Sequence, residues 1–297
     1  WVPDDGTGTA SLTANNGFTR RHDFIIKQSA PKGTFGFFLP LSAVFGFCAD
    51  YTQGMFGFRQ DIKMVRQSDN DAIFRTNAAG AGMCEITKIS WLMPHIQPND
   101  VRKMALYKQI QDHTSYEAPF RQHVCDTFSV PETTSTTWRV GVRTAPEKPA
   151  FIIIGLQTAK AGNQEKNVSI FDHCKLKDMH VVLNTTRYPQ MDYLTDFDKM
   201  QFSQVFKSFD DFPMKYYGVD KLLSNSSVDP TKFKTLFPLQ VFDVSKQSER
   251  LLQGIVDITV KMSFHANCPA NTQAYALVIS NRILKIRSDG QKMDVIH

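Results

Sequence analysis

Residues 236–290 carry three long strand patterns in succession and no helical one. The first, Leu236–Val244, is aromatic and β-branched. In the second, Gly254–Phe264, Val256, Ile258, Val260, Met262 and Phe264 share one face, and Asp257, Thr259, Lys261 and Ser263 share the other. The third runs from Thr272 to Ile286. A period of two means that one face packs while the other meets water. Gly254, the 269–271 turn and the Asp289-Gly290 pair punctuate the run. A long chain that ends in this way is an antiparallel β protein.

Upstream the same pattern recurs less cleanly. Residues 1–19 are polar and rich in Gly, Thr and Asn, an exposed loop by composition, and the chain opens at Trp1 as part of a longer product would. Strands are expected at Arg21–Gln28, Thr34–Leu39, Met55–Arg66 and Cys84–Met93. Asp100–Gln111 places Val101, Met104, Ala105 and Ile110 behind Asn99 as N-cap, which predicts a short helix. Residues 112–132 read as mixed loop and as the boundary between two β units. Strand patterns then resume at Thr136–Arg143, where Trp138, Val140 and Val142 alternate, at Ala150–Gln157 and at Met179–Leu183. The second of these is continuously apolar, as a strand covered on both faces should be. Met191–Phe209 reads as irregular and partly helical, and 210–235 as a long loop of the kind that carries binding or assembly contacts. Counting the last three strands, the second unit has about seven, the number of a sandwich or jelly roll.

Composition narrows the function further. The 297 residues are 42% hydrophobic and 21% charged, ordinary for a folded chain able to bury a large core. The 23 Phe are unusual, and suit either a sheet-on-sheet core or a subunit interface. A net charge of +5 is scattered. Its densest basic pair is Arg20-Arg21, too short to read as a nucleic-acid patch, so no sequence-specific nucleic acid is expected. Five widely spaced cysteines include no CxxC pair, which disfavours structural zinc and fits free buried thiols in a reducing compartment. The sequons at Asn167, Asn184 and Asn225 read as chance matches. No apolar run approaches the roughly 18 residues of a membrane span.

Catalytic and metal-binding patterns are weak. HxxxH, HExxH and GxSxG are absent. Asp172-His173-Cys174 with His180 falls short of the several converging ligands a β-sandwich metal site needs. His123 and Cys125, two apart on a strand, and the Asp210-Asp211 pair are weak signs of a nucleophile and base or of an acid–base dyad. Neither an enzyme nor a cofactor is expected.

The ordered blocks Lys148–Thr158 (KPAFIIIGLQT), Asn167–Asp172 (NVSIFD), Met179–Asn184 (MHVVLN) with Tyr188-Pro189, and Phe237–Ser245 (FPLQVFDVS) resemble the double jelly-roll major capsid proteins of Maverick/Polinton-type elements and the adenovirus and tailless-phage lineage. Arg20-Arg21, Phe37–Phe45 and Ile86–Ile89 look like the later part of that family's first jelly roll. The resemblance implies an all-β fold of two adjacent antiparallel jelly-roll sandwiches with short helices in the connections. Residues 1–115 would be the later part of an incomplete first jelly roll, and 116–297 the second, with an insertion at about 187–235. The implied function is that of a viral major capsid protein, located in the virion capsid and assembled in the host nucleus or cytoplasm. It would form homotrimeric pseudo-hexagonal capsomers that tile an icosahedral shell with neighbouring capsomers and with penton or minor capsid proteins. A lectin-like binding module and a host-domesticated capsid derivative are the alternatives. The candidate intersubunit contacts are the insertion's rings, Tyr188, Tyr193, Phe197, Phe202, Phe206, Phe209, Tyr216 and Tyr217, which serve equally well as internal core.

Overall fold

The computed structural model describes residues 23–57, 59–75, 80–142, 148–218, 228–247, 256–290 and 292–296. The expected loop at 1–19, the Arg20-Arg21 pair and the sequon at Asn225 lie outside them.

Among the described residues, nine strands form two antiparallel sheets. The first contains β1 (Ser115–Val130), β3 (Lys148–Thr158), β6 (Gln240–Asp243), β8 (Thr272–Ser288) and β9 (Met293–Ile296). The second contains β2 (Ser135–Val140), β4 (Leu176–Leu183), β5 (Thr186–Tyr188) and β7 (Ile258–Phe264). The spatial orders are β1-β8-β3-β6, with β9 on the end of β8, and β2-β7-β4-β5. Pairing the first strand with the eighth, the second with the seventh and the third with the sixth is the wound arrangement of an eight-stranded jelly roll. β1 and β8 pair from Ser115↔Arg287 to Val130↔Thr272, so the two ends of the unit are joined along its longest ladder.

The core lies between the sheets. Val256, Ile258, Val260, Met262 and Phe264 are all buried, on the face that alternation assigns them. Ile152, Ile154 and Leu156 of β3 meet them, and Trp138 stacks on Phe128 at 5.5 Å. The opposite face of β3 is covered too: Phe151 packs edge-on against Phe212 at 5.3 Å. Gly155 has no room for a side chain, since a Cβ there would lie 2.4 Å from the Phe171 ring and 2.7 Å from Leu239. A continuously apolar strand is therefore what this position requires.

Among the described residues, five α-helices interrupt the β framework: α1 (Gly46–Asp50), α2 (Asp69–Ala72), α3 (Asp100–Gln111), α4 (Ser203–Tyr217) and α5 (Pro230–Leu236). α3 forms as its sequence predicts, with the Asn99 side chain accepting from Arg102 N at 2.9 Å. α4 follows an apolar stripe at helical spacing (Phe202, Val205, Phe206, Phe209, Phe212, Tyr216) and stops at Gly218, whose φ of 66° suits glycine. In α5, Asp229 caps Lys232 N at 2.8 Å and Pro230 occupies the first turn, where its missing N–H costs nothing.

Three expectations need correction. The boundary loop at 112–132 is mostly the sixteen-residue β1. Only Ala118 and Val130 of that strand are buried, so the hydrophobic alternation that marks a strand is absent, and pairing with β8 imposes the extended form. The loop at 210–235 instead continues α4 to Tyr217 and holds α5. α4 runs through Pro213, a residue type that usually ends or kinks a helix. The early strands expected at 21–28, 34–39, 55–66 and 84–93 form no ladder among the described residues: Phe24–Gln28 is helical and the described residues of the others lie in no strand. Strands need a neighbouring strand to pair with, and among the described residues these segments make single contacts, such as Met293 N to Gly57 O, rather than a ladder.

Candidate assembly surface

The N-terminal segment is fastened to the jelly roll at Arg121. β1 is an edge strand, and α1 lies across its open side. Gly46 packs so closely there that a Cβ would sit 1.7 Å from Arg121 O. This lets the Asp50 carboxylate accept from Arg121 N at 2.8 Å and from Nε at 2.9 Å, with the guanidinium Nη2 closing a second bond. The edge amide is thus capped by a charge rather than left open to a foreign strand. The same guanidinium lies 4.0 Å above the Tyr216 ring and donates to Tyr216 O, tying the end of α4 into the junction. His123 Nε2 meets Tyr216 Oη at 2.7 Å, and Phe47 packs edge-on against Phe120 at 5.2 Å. The hydrogen bond from Arg121 holds the Asp50 carboxyl below its usual range, and burial pushes the His123 imidazole down and the Tyr216 phenol up. Sequence reading missed Arg121 and Asp50, which lie 71 positions apart and belong to no motif. It singled out His123 only for catalysis.

Further ties run along the segment. Gln164 holds Gly82 through both amide atoms, at 2.8 and 3.0 Å, and Gly162 N donates to Asp71 at 2.6 Å. Met293 N bonds to Gly57 O at 3.0 Å.

The eight rings proposed from sequence divide by depth. Phe197 and Phe202 are 1% and 4% exposed and pack inside the chain's own core around Phe233, which Phe206 and Phe209 also touch at 5.3 and 5.2 Å. Their area is spent within the subunit. Tyr188, Tyr193 and Tyr216 are half-buried, and Tyr217 is 67% exposed. The larger apolar surface lies elsewhere. All buried hydrophobics among the described residues lie at Ala118 or beyond, whereas most of the exposed large ones precede residue 110, including Phe37 at 80%, Phe38 at 74% and Met83 at 89%. Such exposure of large apolar side chains sets this segment apart from the jelly roll.

A family model described as the double jelly roll-like domain matches residues 10–284. The chain belongs to that family. No curated protein sequence matches it significantly. Solved structures similar to this double jelly roll-like chain include the Sputnik virophage particle (11% identity, 62% of this chain and 39% of that one, TM-score 0.33). The PBCV-1 virus capsid (8%, 67% and 54%, 0.35) and the mavirus major capsid protein (9%, 62% and 41%, 0.28) are also similar. The chain spans about 39 to 54% of the length of these proteins.

Other polar clusters of this double jelly roll-like domain pair chiefly among their own side chains. Asp178, His180 and Asp192 converge closely enough to suggest a cation site, but the Arg187 guanidinium bridges Asp178 and Asp192, and His180 Nδ1 meets Asp178 at 2.9 Å. His173, the other histidine weighed from sequence, stacks on Phe197 at 4.9 Å, and its Nδ1 accepts from Lys175 N. Asp211 pairs with Lys207 at 2.9 Å.

Proposed function

We propose that the chain is a viral major capsid protein whose complete jelly roll, residues 115–288, stands beside a first jelly roll to which residues 23–112 contribute. The observation that carries this reading is the apolar face of the N-terminal segment, exposed in the single chain and fastened to the jelly roll through Arg121, Gln164 and Met293. Segments 34–39, 55–66 and 84–93 would find their strand partners on assembly, which would bury this face and satisfy their backbone groups. The resemblance of the ordered sequence blocks to capsid proteins points the same way. The subunit would form homotrimeric, pseudo-hexagonal capsomers of an icosahedral shell, in the virion, with a structural rather than catalytic role. Tyr188, Tyr193, Tyr216 and Tyr217, on the surface of the insertion, are the proposed lateral contacts.

Light scattering coupled to size exclusion tests this. The expected species is a trimer at three times the 33.7 kDa chain mass, or a shell-sized particle. A stable monomer that retains a glycan would instead establish a lectin-like module.

A further inference from the structure

We propose that Asp178, His180 and Asp192 form a site for one divalent transition-metal ion, whose place the Arg187 guanidinium takes in this structure. The site follows from strand geometry. Met179, Val181 and Leu183 of β4 are buried in the core, so Asp178 and His180 share the opposite face of the strand. β5 pairs with β4 through Val182↔Arg187, and directly opposed residues share a face, so Arg187 stands on that same side. The segment after β5 brings in Asp192. His180 Nδ1 lies 2.9 Å from Asp178 Oδ2. One imidazole nitrogen and one oxygen from each carboxylate all lie within 4.8 Å of one another. Metal bonds of roughly 2.0–2.2 Å place ligands on opposite sides of an ion about 4.2 Å apart, so small side-chain rotations close the set.

Arg187 marks where the ion belongs. Its Nη2 bonds Asp192 Oδ1 and lies 3.5 Å from Asp178 Oδ2, so a positively charged nitrogen already bridges the two carboxylates and stands in for a cation. It is an imperfect occupant. Its Nε is buried without a hydrogen-bond partner among the described residues, and 33% of the side chain is exposed, which leaves it a path to water. Once displaced, Arg187 hydrates the orphaned donor. Asp178 Oδ1 meanwhile accepts from Tyr193 N at 3.1 Å, so Oδ2 can serve a metal without releasing that amide.

The donor set names the class of ion. One imidazole with two carboxylates suits a first-row divalent ion between manganese and zinc, whereas calcium and magnesium favour oxygen alone. Three protein ligands leave the remaining positions to water. The ion's role is structural: it ties β4 to the chain entering the α4–α5 insertion at Asp192 and Tyr193, in place of a flexible arginine. All three ligands belong to one jelly roll, so the site does not depend on whether the chain builds shells.

The test is a titration of the full chain with Mn²⁺, in which electron paramagnetic resonance reads the free ion. Manganese prefers oxygen and nitrogen donors, so the free cysteines compete little. The expected result is one saturable equivalent bound by the wild-type protein. Arg187→Ala should tighten it about tenfold, because the competing guanidinium is gone. His180→Ala should weaken it roughly tenfold or more. A gain of affinity in Arg187→Ala cannot come from misfolding, so the pair of variants separates a lost ligand from a damaged fold. No saturable binding by the wild-type chain, no gain in Arg187→Ala, or binding unmoved by His180→Ala would each overturn the inference. Assembled mass is a separate measurement, so the capsid reading can fail without this one.

Discussion

Arg121 is the residue on which the two parts of the chain converge: its amide and guanidinium hold Asp50, and its cationic face covers Tyr216. Because Asp50 and Arg121 are largely shielded, Asp50→Ala leaves a partly buried cation without its partner. The expected cost is about 1.5–3 kcal/mol, read as faster hydrogen exchange in residues 44–51 with little change in β7. The junction should also weaken in acid, in two stages. His123 is depressed below its ordinary 6.5, so its contribution is complete above that pH and is lost as pH falls through the lower folded value. Asp50 is depressed below 3.8, so its contribution persists to more acid conditions and goes as pH falls through its own folded value. Exchange rates of residues 44–51 followed from pH 8 to pH 3 should rise in both windows, and His123→Asn should abolish the first alone. An unchanged upper window in that variant would show that His123 is not the titrating group.

At the scale of elements, the insertion between β5 and β6 is held by rings rather than by a ladder. Phe233, fully buried in α5, touches Phe202, Phe206 and Phe209 at 5.6, 5.3 and 5.2 Å, so the two helices share one apolar cluster with the sandwich. Phe233→Ala should cost about 3–5 kcal/mol in denaturant unfolding, because the cavity it leaves is walled by other rigid rings. Gly155→Ala adds only a methyl group, yet it meets Phe171 and Leu239 on an already covered face, and roughly 1–3 kcal/mol of strain is expected. A fall below about 0.5 kcal/mol would mean that Phe171 swings clear.

The whole molecule is lopsided: the jelly roll buries its hydrophobics, and the N-terminal segment displays them. If that face is where subunits meet, Phe37→Asp combined with Phe38→Asp should convert assembled material to a 33.7 kDa species. Both rings are mostly exposed in the single chain, so the jelly roll's own unfolding free energy should move by no more than about 0.5 kcal/mol. Assembled mass unaffected by the two charges would place the interface elsewhere, with Tyr216 and Tyr217 next to be tested.

The sequence by itself determined the elements whose own side chains are enough to hold them. β7 was legible residue by residue because alternation maps directly to burial, β3 because a strand covered on both faces must be apolar throughout, and α3 because Asn99 supplies its own cap. Tertiary structure decided what depends on a distant partner. β1 has only two buried residues and is a strand because β8 pairs along its full length. The early segments have strand-like sequences but no ladder among the described residues, since β structure exists only between neighbours. The junction of Asp50, Arg121 and Tyr216 joins three positions far apart in the chain, and only folding brings their charges and rings together.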